Sequence, residues 1–516
     1  MKVSAADTKI LAFDDAGTRF DDLRKQGKRI VQCHGTFDLI HPGHIVHLEE
    51  ARSLGDVLVV TVTDENHVNK GPGRPCFNDT LRSRTLAALE CVDFVVLIPF
   101  PAAVEAIRLV KPHIYCKGRE YENPSNDVTG NIYDDLLEVR AHGGDLRYIG
   151  SVVFSSTKLL NQHFSHLPEQ VRSFCQDLSE RVNPDSLREM VESFRGLRVL
   201  VLGDTIIDQY SYLRVQGLTS KNRMISGRFL RQDTHLGGAL AVVRHVKEFC
   251  DNVRFVSLLG VEPWVDELLV GVVAAEEDAT VRDPEFTTIV KKRYVEPVQQ
   301  GNEISKLFSI NYINDHPPSA ATCAKLLATV REEVERCDVV LLADFGHGLM
   351  QSDLRNFVQE CAPYLMLNCQ TNSNNHGFNI ITRQYQRADA FSLDLQEMML
   401  SCGHRHLDCE SEIASLRKAF GSSYAWLTRG NVMTIGCSPD SAPVFIPPLV
   451  TDVTDTVGAG DAFYALAGLA AARGLPLDVA TFLGQLAGAQ AVNIIGNERP
   501  VSKATLLKSA ISLLNF

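Results

Sequence analysis

Two stretches of this chain combine residue types and spacings that handle phosphate. The first is Asp455-Thr-Val-Gly-Ala-Gly-Asp461. It follows a β-rich run, Val444 to Val453, and opens a small-residue apolar segment, Ala462 to Arg473, with the character of a buried helix. Strand, glycine turn and helix start form a phosphate-binding geometry. Glycines let backbone N–H groups approach an anion, and a helix N-terminus adds roughly half a positive charge. Asp461 stands where phosphate charge would accumulate, so accepting a proton suits it better than binding. Glycine spacing alone also fits a tight turn with small-residue helix packing. The second stretch is His41-Pro-Gly-His44. Two imidazoles three residues apart at a helix start share a face. With the helix dipole and the Gly35-Thr36 turn they make an anion site suited to a triphosphate. Nucleotidyl transfer needs charge stabilisation on the α-phosphate while pyrophosphate leaves, and no covalent nucleophile. Two histidines and a lysine supply that. A pair of surface histidines at a helix cap is the plainer reading; a zinc pair is a third, for which no further ligand stands at suitable spacing.

The elements that would position these groups alternate. Phe20 to Lys28 reads as a short charged helix and Arg29 to Cys33 as a strand. From Pro42, the residues Ile45, Leu48, Ala51 and Leu54 have helical spacing that Gly55 caps, and Pro42 suits the first helical position. Val57 to Val62 is a continuous apolar strand of parallel-sheet type. A helix at Leu81 to Leu89, a strand at Phe94 to Ile98, a helix at Ala102 to Leu109 and a strand at His113 to Cys116 continue the pattern. The alternation resumes at the strand Leu197 to Gly203, which runs into a turn at Asp204. Arg228 to Gln232 reads as an edge strand of a lid, Leu240 to Phe249 as a helix, and Arg254 to Leu259, Val339 to Ala343 and Tyr424 to Thr428 as strands. The expected fold class is α/β with two doubly wound domains. His163 to Gly196 is polar and helical, a structured connector or a dimer-forming helix.

At 516 residues the chain exceeds one ordinary core. Apolar content of 45% and charged content of 22% are those of a globular protein. The net charge of −12, with no basic run, excludes nucleic acid as the expected partner. No apolar run reaches the ~20 residues needed to span a bilayer, and the N-terminus lacks a signal-peptide core. Thirteen scattered cysteines without a C-x-x-C pair suit reduced thiols, so a cytoplasmic location is expected.

The first region resembles the H-x-G-H cytidylyltransferase-like nucleotidyltransferases, a family with a Rossmann-like fold. The resemblance rests on Cys33-His-Gly-Thr-Phe-Asp-Leu-Ile-His-Pro-Gly-His44, Lys70-Gly-x-x-Arg74-Pro, Arg82, Leu89-Glu-x-Val-Asp93, Lys117-Gly and Phe154-Ser-Ser-Thr157-Lys. It implies that His41, His44 and Lys117 act on the phosphates. It also implies that Gly35, Thr36, Phe37, Lys70, Arg82, Ser155, Ser156 and Thr157 surround the nucleotide. Where related sugar enzymes read Lys-Gly-Gly-Asp-Tyr, this chain has Lys117-Gly-Arg-Glu-Tyr121, so Arg119 replaces a glycine near the acceptor pocket.

The later region resembles the ribokinase-like (PfkB) carbohydrate kinases, in which the final Asp of the glycine loop activates the acceptor hydroxyl. Gly203-Asp-x-x-x-Asp208 resembles their sugar-binding first turn, and Gly237-Gly238 the glycine pair that admits the sugar. The resemblance therefore implies sugar binding by Asp204, Asp208, Gly237 and Gly238. It implies ATP binding by Asp394, Glu397, Thr428, Gly430, Gly458, Ala459 and Gly460, with Asp461 as base. Two departures stand out: Ala241 replaces the usual asparagine after the glycine pair, and Asp394 replaces the asparagine of Asn-x-x-Glu. The amide-rich run Asn368 to Asn375 reads equally as a polar pocket wall or a surface loop. As a whole the chain resembles the bifunctional heptose kinase/nucleotidyltransferases of bacterial envelope synthesis with the domain order reversed. The implied domains are 1–165 (transferase), 166–195 (connector) and 196–516 (kinase). The implied ligands are ATP or CTP, sugar phosphates and Mg2+ without a fixed metal cage, and a homo-oligomer, a dimer, is expected. The alternative is that only the transferase is active and the kinase-like domain binds sugar or regulates.

Overall fold

The computed structural model describes residues 6–68, 74–122, 131–150, 168–222, 224–297, 304–372, 375–449 and 453–515. The chain divides into two units: Met1–Arg181 with Leu507–Phe516, and Val182–Leu506. Both are α/β with largely parallel sheets.

Among the described residues the first unit holds six strands, β1 (Ile10–Leu11), β2 (Ile30–Gly35), β3 (Val57–Thr63), β4 (Phe94–Ile98), β5 (Ile114–Gly118) and β6 (Asp145–Ile149). They form one sheet in the order β1-β4-β3-β2-β5-β6, with every pairing parallel. All seven residues of β3 are buried, as a central strand covered on both faces requires. From β2 the chain adds β3 and β4 on one side, then β5 and β6 on the other. The C-terminal ends of β2 and β5 therefore flank a topological switch point, where an open α/β sheet leaves a crevice. The helix Phe13–Lys25 begins earlier than its charged half suggests, because Phe13, Ala16, Phe20 and Leu23 supply a stripe facing Val96 and Val110. The edge strand β1, two residues long, and the helix Asn131–Ala141 with β6 were not foreseen from sequence. Their apolar content is short or interrupted by acids.

In the second unit the strands in chain order are β7 (Arg198–Gly203), β8 (Thr205–Leu218), β9 (Ile225–Gly238), β10 (Asn252–Val256), β11 (Leu258–Leu259), β12 (Val281–Arg282) and β13 (Ile289–Pro297). There follow β14 (Ile304–Tyr312), β15 (Val339–Asp344), β16 (Leu365–Cys369), β17 (Ala390–Asp394), β18 (Tyr424–Thr428), β19 (Thr434–Cys437) and β20 (Val444–Ile446). The main sheet runs β10-β7-β15-β16-β17-β18-β19-β20, parallel as far as β18. Its switch point lies between β7 and β15. A second sheet runs β14-β13-β8-β9. The predicted turn after Asp204 is instead the 14-residue strand β8, so Asp208 sits in a strand. Ile206, Ile207 and Tyr210 are buried there, and continuous apolar and β-branched residues sustain the extension. The edge strand expected at Arg228 to Gln232 is the middle of β9, an edge of this sheet.

The helix Ala459–Ala472 buries ten residues, Ala462 to Ala471, against the main sheet and the helix Leu477–Ala491. A Cβ added at Gly468 would lie 3.0 Å from Met366 and one at Gly484 2.9 Å from Phe463, so small residues permit the close approach of these elements.

Candidate functional sites

In the first unit, the segment after β2 turns sharply. Phe37 has φ 48, a left-handed conformation that costs a bulky residue strain. The turn folds its ring back over Gly35, where an added Cβ would lie 3.2 Å from Phe37, and sets it edge-on to His44 at 5.4 Å. His41 caps the helix Pro42–Ser53: its Nδ1 accepts the His44 N–H at 3.3 Å. The two imidazoles stack with centroids 3.9 Å apart. Burial lowers the basicity of His41, which lessens the repulsion that two stacked cations would suffer.

Arg82, expected around the nucleotide, is 1% exposed. Its guanidinium donates to the carbonyls of Thr36 (2.7 Å) and Thr63 (2.9 Å) and pairs with Asp79. It therefore braces the ends of β2 and β3 from inside. Asp38, unassigned by the sequence motif, is buried and accepts the amides of Cys76 and Phe77 at 2.8 and 3.1 Å and the Arg74 guanidinium at 3.3 Å. It thereby ties the 74–77 segment to the histidine loop. Lys117 ends β5 across the switch from β2. His34, at the end of β2, bridges Thr61 and Thr63 at 3.0 and 3.3 Å. Its pKa is pushed down to about 3, first by burial and then by the Lys117 charge, so His34 is a neutral structural imidazole. Arg119 is exposed in a short 3-10 turn after β5. Lys70, Ser155, Ser156 and Thr157 lie outside the described residues.

In the second unit, acids gather from distant parts of the chain. Asp208 faces Lys291 across the β8–β13 pairing and forms an ion pair with Arg293. Asp461, in the first turn of the helix Ala459–Ala472, accepts a bond from Gln370 Nε2 at 3.3 Å. Its pKa is pushed up to about 6, by burial first and the Asp208 charge second, while Lys291 and Gln370 oppose the rise. Lys291 is itself held below its usual range by burial. Sequence reading missed Lys291 and Arg293; their signal is the Lys-x-Arg alternation that puts both on one strand face.

Gly237 is needed because a Cβ there would collide with the Asp208 carboxylate. Gly238 has φ 59 and packs on the Asp204 carbonyl. The glycine pair thus seats the two acids. Asp204 is 3% exposed, and its Oδ2 accepts the amides of Phe345 (2.9 Å) and His347 (3.3 Å). It lies beside Asp344, whose carboxylate takes Tyr385 Oη at 2.6 Å and the Gly346 amide at 2.8 Å. Burial raises both acids, and the Asp344 charge adds to the rise at Asp204. The pair marks the β7–β15 switch point.

Asp394 and Glu397 form a reciprocal cap on the helix Leu395–Cys402: Asp394 Oδ1 takes the Glu397 amide at 2.7 Å and Glu397 Oε2 takes the Asp394 amide at 2.8 Å. Aspartate caps as well as asparagine does, which accounts for that departure locally. Glu397 also accepts the Thr371 amide, and burial pushes its pKa up to about 8. Ala241 is 1% exposed within the helix Ala239–Lys247. Thr428 ends β18 with its hydroxyl on the Leu393 carbonyl, and Gly430 (φ 52) makes the turn into β19. In the amide-rich run, Asn368 bonds Ser392, Gln370 bonds Asp461, and Asn372 and Asn375 bond the Phe345 carbonyl, so the described part walls the acidic site.

The glycine loop is held from below. Asp455 is buried and takes Tyr210 Oη (3.0 Å), Lys306 Nζ (2.9 Å) and the amides of Val457 and Gly496. These donors outweigh burial and keep its pKa below the usual range. Gly458, at φ 85, precedes the helix and lies against Asn497 where a Cβ would clash. An added Cβ at Gly460 would meet nothing within 4 Å, so the helix start opens outward. Its first-turn amides have no intrahelical acceptors, which fits a phosphate group.

Sequence comparison bears on this open α/β sheet with an imidazole pair and a lysine at its switch point. Residues 33–140 match the family model described as Cytidylyltransferase-like, and the N-terminal region holds a cytidylyltransferase-like domain. Over that region the chain is 40% identical to "Bifunctional protein HldE" of Aliarcobacter butzleri across 140 residues, 27% of this chain and 29% of that protein. It is 42% identical to the protein of the same name from Desulfatibacillum aliphaticivorans across 134 residues, 26% and 27% respectively. The matches thus span under a third of these relatives' length. Phosphofructokinase-2 from Escherichia coli aligns structurally at 12% identity, covering 61% of this chain and 99% of that one, with a TM-score of 0.48. No helix among the described residues is long and apolar enough to cross a membrane.

Proposed function

We propose that the chain is a two-activity enzyme of nucleotide-sugar formation, with a nucleotidyltransferase in residues 1–165 and a sugar kinase in residues 196–516. The observation that carries this reading is the stacked His41–His44 pair at a helix start on the β2–β5 switch point, inside the segment that matches the cytidylyltransferase-like model. There a sugar 1-phosphate oxygen attacks the α-phosphate of ATP or CTP and pyrophosphate leaves. His41, His44 and Lys117 supply donors where negative charge develops, at fixed positions that need no reorganisation. Arg82 and Asp38 hold the loops that carry them.

In the second region, the start of the helix Ala459–Ala472 would hold the ATP phosphates and Asp461 would take the acceptor hydroxyl proton. Mg2+, when bound, neutralises phosphate charge. Lys291 and Arg293 next to Asp208 favour an acceptor that already carries a phosphate. A carboxylate with pKa about 6 is mostly ionised at pH 7 yet basic enough to accept a proton in flight. That supports an active kinase over a sugar-binding remnant. The test is to incubate purified full-length chain with ATP, CTP and Mg2+ against a panel of sugars and sugar phosphates, resolving products by mass. Both a phosphorylated sugar and a nucleotide-sugar are expected. A nucleotide-sugar alone would reduce the second region to a binding module, and neither product would overturn the reading.

A further inference from the structure

The histidine pair is positioned by its own helix, whereas Lys117 is a flexible side chain leaving the end of a strand. A lysine stem of four methylenes samples many rotamers, so a useful ammonium needs a partner. Lys117 Nζ lies 3.1 Å from Asp135 Oδ2. The same oxygen takes the Tyr115 hydroxyl at 3.3 Å. Asp135 is 1% exposed and Tyr115 fully buried. The ammonium also lies 5.3 Å from the Tyr115 ring centroid and 5.9 Å from that of Tyr121, within cation–π range. Burial first, and the Asp135 charge second, push the Tyr115 phenol well above its usual range, so it remains a hydrogen donor to that carboxylate.

The support under Asp135 is rigid. It belongs to the helix Asn131–Ala141, whose Val139 packs in one cluster with Ala103, Ile107 and Tyr115. The strand that carries Lys117 pairs directly with β2, Cys116 opposite Cys33, so Lys117 stands next to the end of β2.

We propose that Asp135 is a positioning residue of the transferase site: with Tyr115 it fixes the Lys117 ammonium at the β2–β5 switch, poised for the triphosphate. The inference rests on the transferase reading for its chemical consequence, but not for the contact itself. A carboxylate only accepts, so Asp135 holds both donors at once. Of the lysine's three N–H groups it engages one, and a triphosphate would engage the others.

The test has two arms on the full-length chain. In the first, amine-reactive labelling of Lys117 is followed by peptide mass spectrometry, which needs no catalysis. Asp135→Asn is expected to label Lys117 several-fold faster than the parent, and Asp135→Glu close to the parent rate. In the second arm, Asp135→Asn lowers kcat for pyrophosphate release by about 10-fold, the order expected when a reacting group is misplaced, with a smaller change in KM for the nucleotide. Asp135→Glu recovers part of kcat, and its folding is checked by thermal melt beside that of Asp135→Asn. Unchanged labelling in a folded Asp135→Asn protein overturns the proposal. So does a loss that appears only in KM, or one that Asp135→Glu fails to relieve. If the parent releases no pyrophosphate with any nucleotide, the transferase reading falls, and labelling alone then decides whether Asp135 holds Lys117.

Discussion

The two candidate sites are assembled in opposite ways. The first is local at its histidine pair: His41 and His44 occupy one turn of one helix, with support from Phe37, Asp38 and Arg82 within about one crossover of the sheet, and Lys117 joins from β5. Burial lowers the basicity of His41. The second is distributed: Asp204, Asp208, Asp344 and Asp461 come from segments up to 257 residues apart and meet only in the folded chain. Burial and a neighbouring carboxylate raise the pKa of Asp204 and of Asp461. A local site tolerates strain elsewhere, whereas a distributed site depends on the register of two sheets.

The largest expected effect breaks the second site alone. Asp461→Asn keeps the shape and removes the base, so sugar phosphorylation should fall by roughly 10²-fold or more while ATP affinity and pyrophosphate release persist. Isothermal titration and separate product assays check it. Persisting phosphorylation would reduce Asp461 to a helix-start residue, and joint loss of both activities in a folded protein would show that the sites are not separable. Next, His44→Ala removes one donor of the local site. Nucleotidyl transfer should drop by about 10²-fold with phosphorylation intact, as judged by pyrophosphate release. Near-normal turnover would leave the histidines as a helix cap.

The titration of Asp461 sharpens the contrast. A base must be ionised, so phosphorylation should fall about tenfold per pH unit below its pKa of about 6 and level off above it. Asp208→Asn removes a repelling charge and should move that limb to lower pH. An unmoved limb would mean that another group governs it. The smallest expected effect is Arg119→Gly. If this exposed arginine contacts the acceptor phosphate, KM for the sugar phosphate should rise more than KM for the nucleotide. Equal effects would make it a surface charge.

The same contrast explains what could be read from sequence. Strands β3, β4 and β18 and the helix from Pro42 are visible because apolar periodicity and a proline at the first helical position are local signals. So is the histidine pair. Asp208 was placed in a turn because glycine and aspartate neighbours mimic one, while the pairing of β8 with β13 and β9 that holds it extended is non-local. Asp135 carries an ordinary charged-residue signal, and the Lys291-x-Arg293 alternation places two cations on one strand face without naming their partner. Their role appears only when Asp208 and Lys117 are seen opposite them. The Gly237-Gly238 pair was legible as a close-approach site, but the group approaching Gly237 is the protein's own Asp208 carboxylate.

Asp455 has a consequence for how the second site comes into being. Its carboxylate joins Tyr210 of β8, Lys306 of β14 and Gly496, so the glycine loop is closed by partners 245, 149 and 41 residues away in sequence. Such contacts form only after the chain between them has been ordered, which makes them late and slow to assemble. The glycine loop is therefore among the last parts of this unit to acquire its shape. In the mature protein, any fluctuation that peels β14 from β13 also slackens the loop. Amide exchange at Val457 and in β14 should accordingly rise and fall together, as members of one cooperative opening.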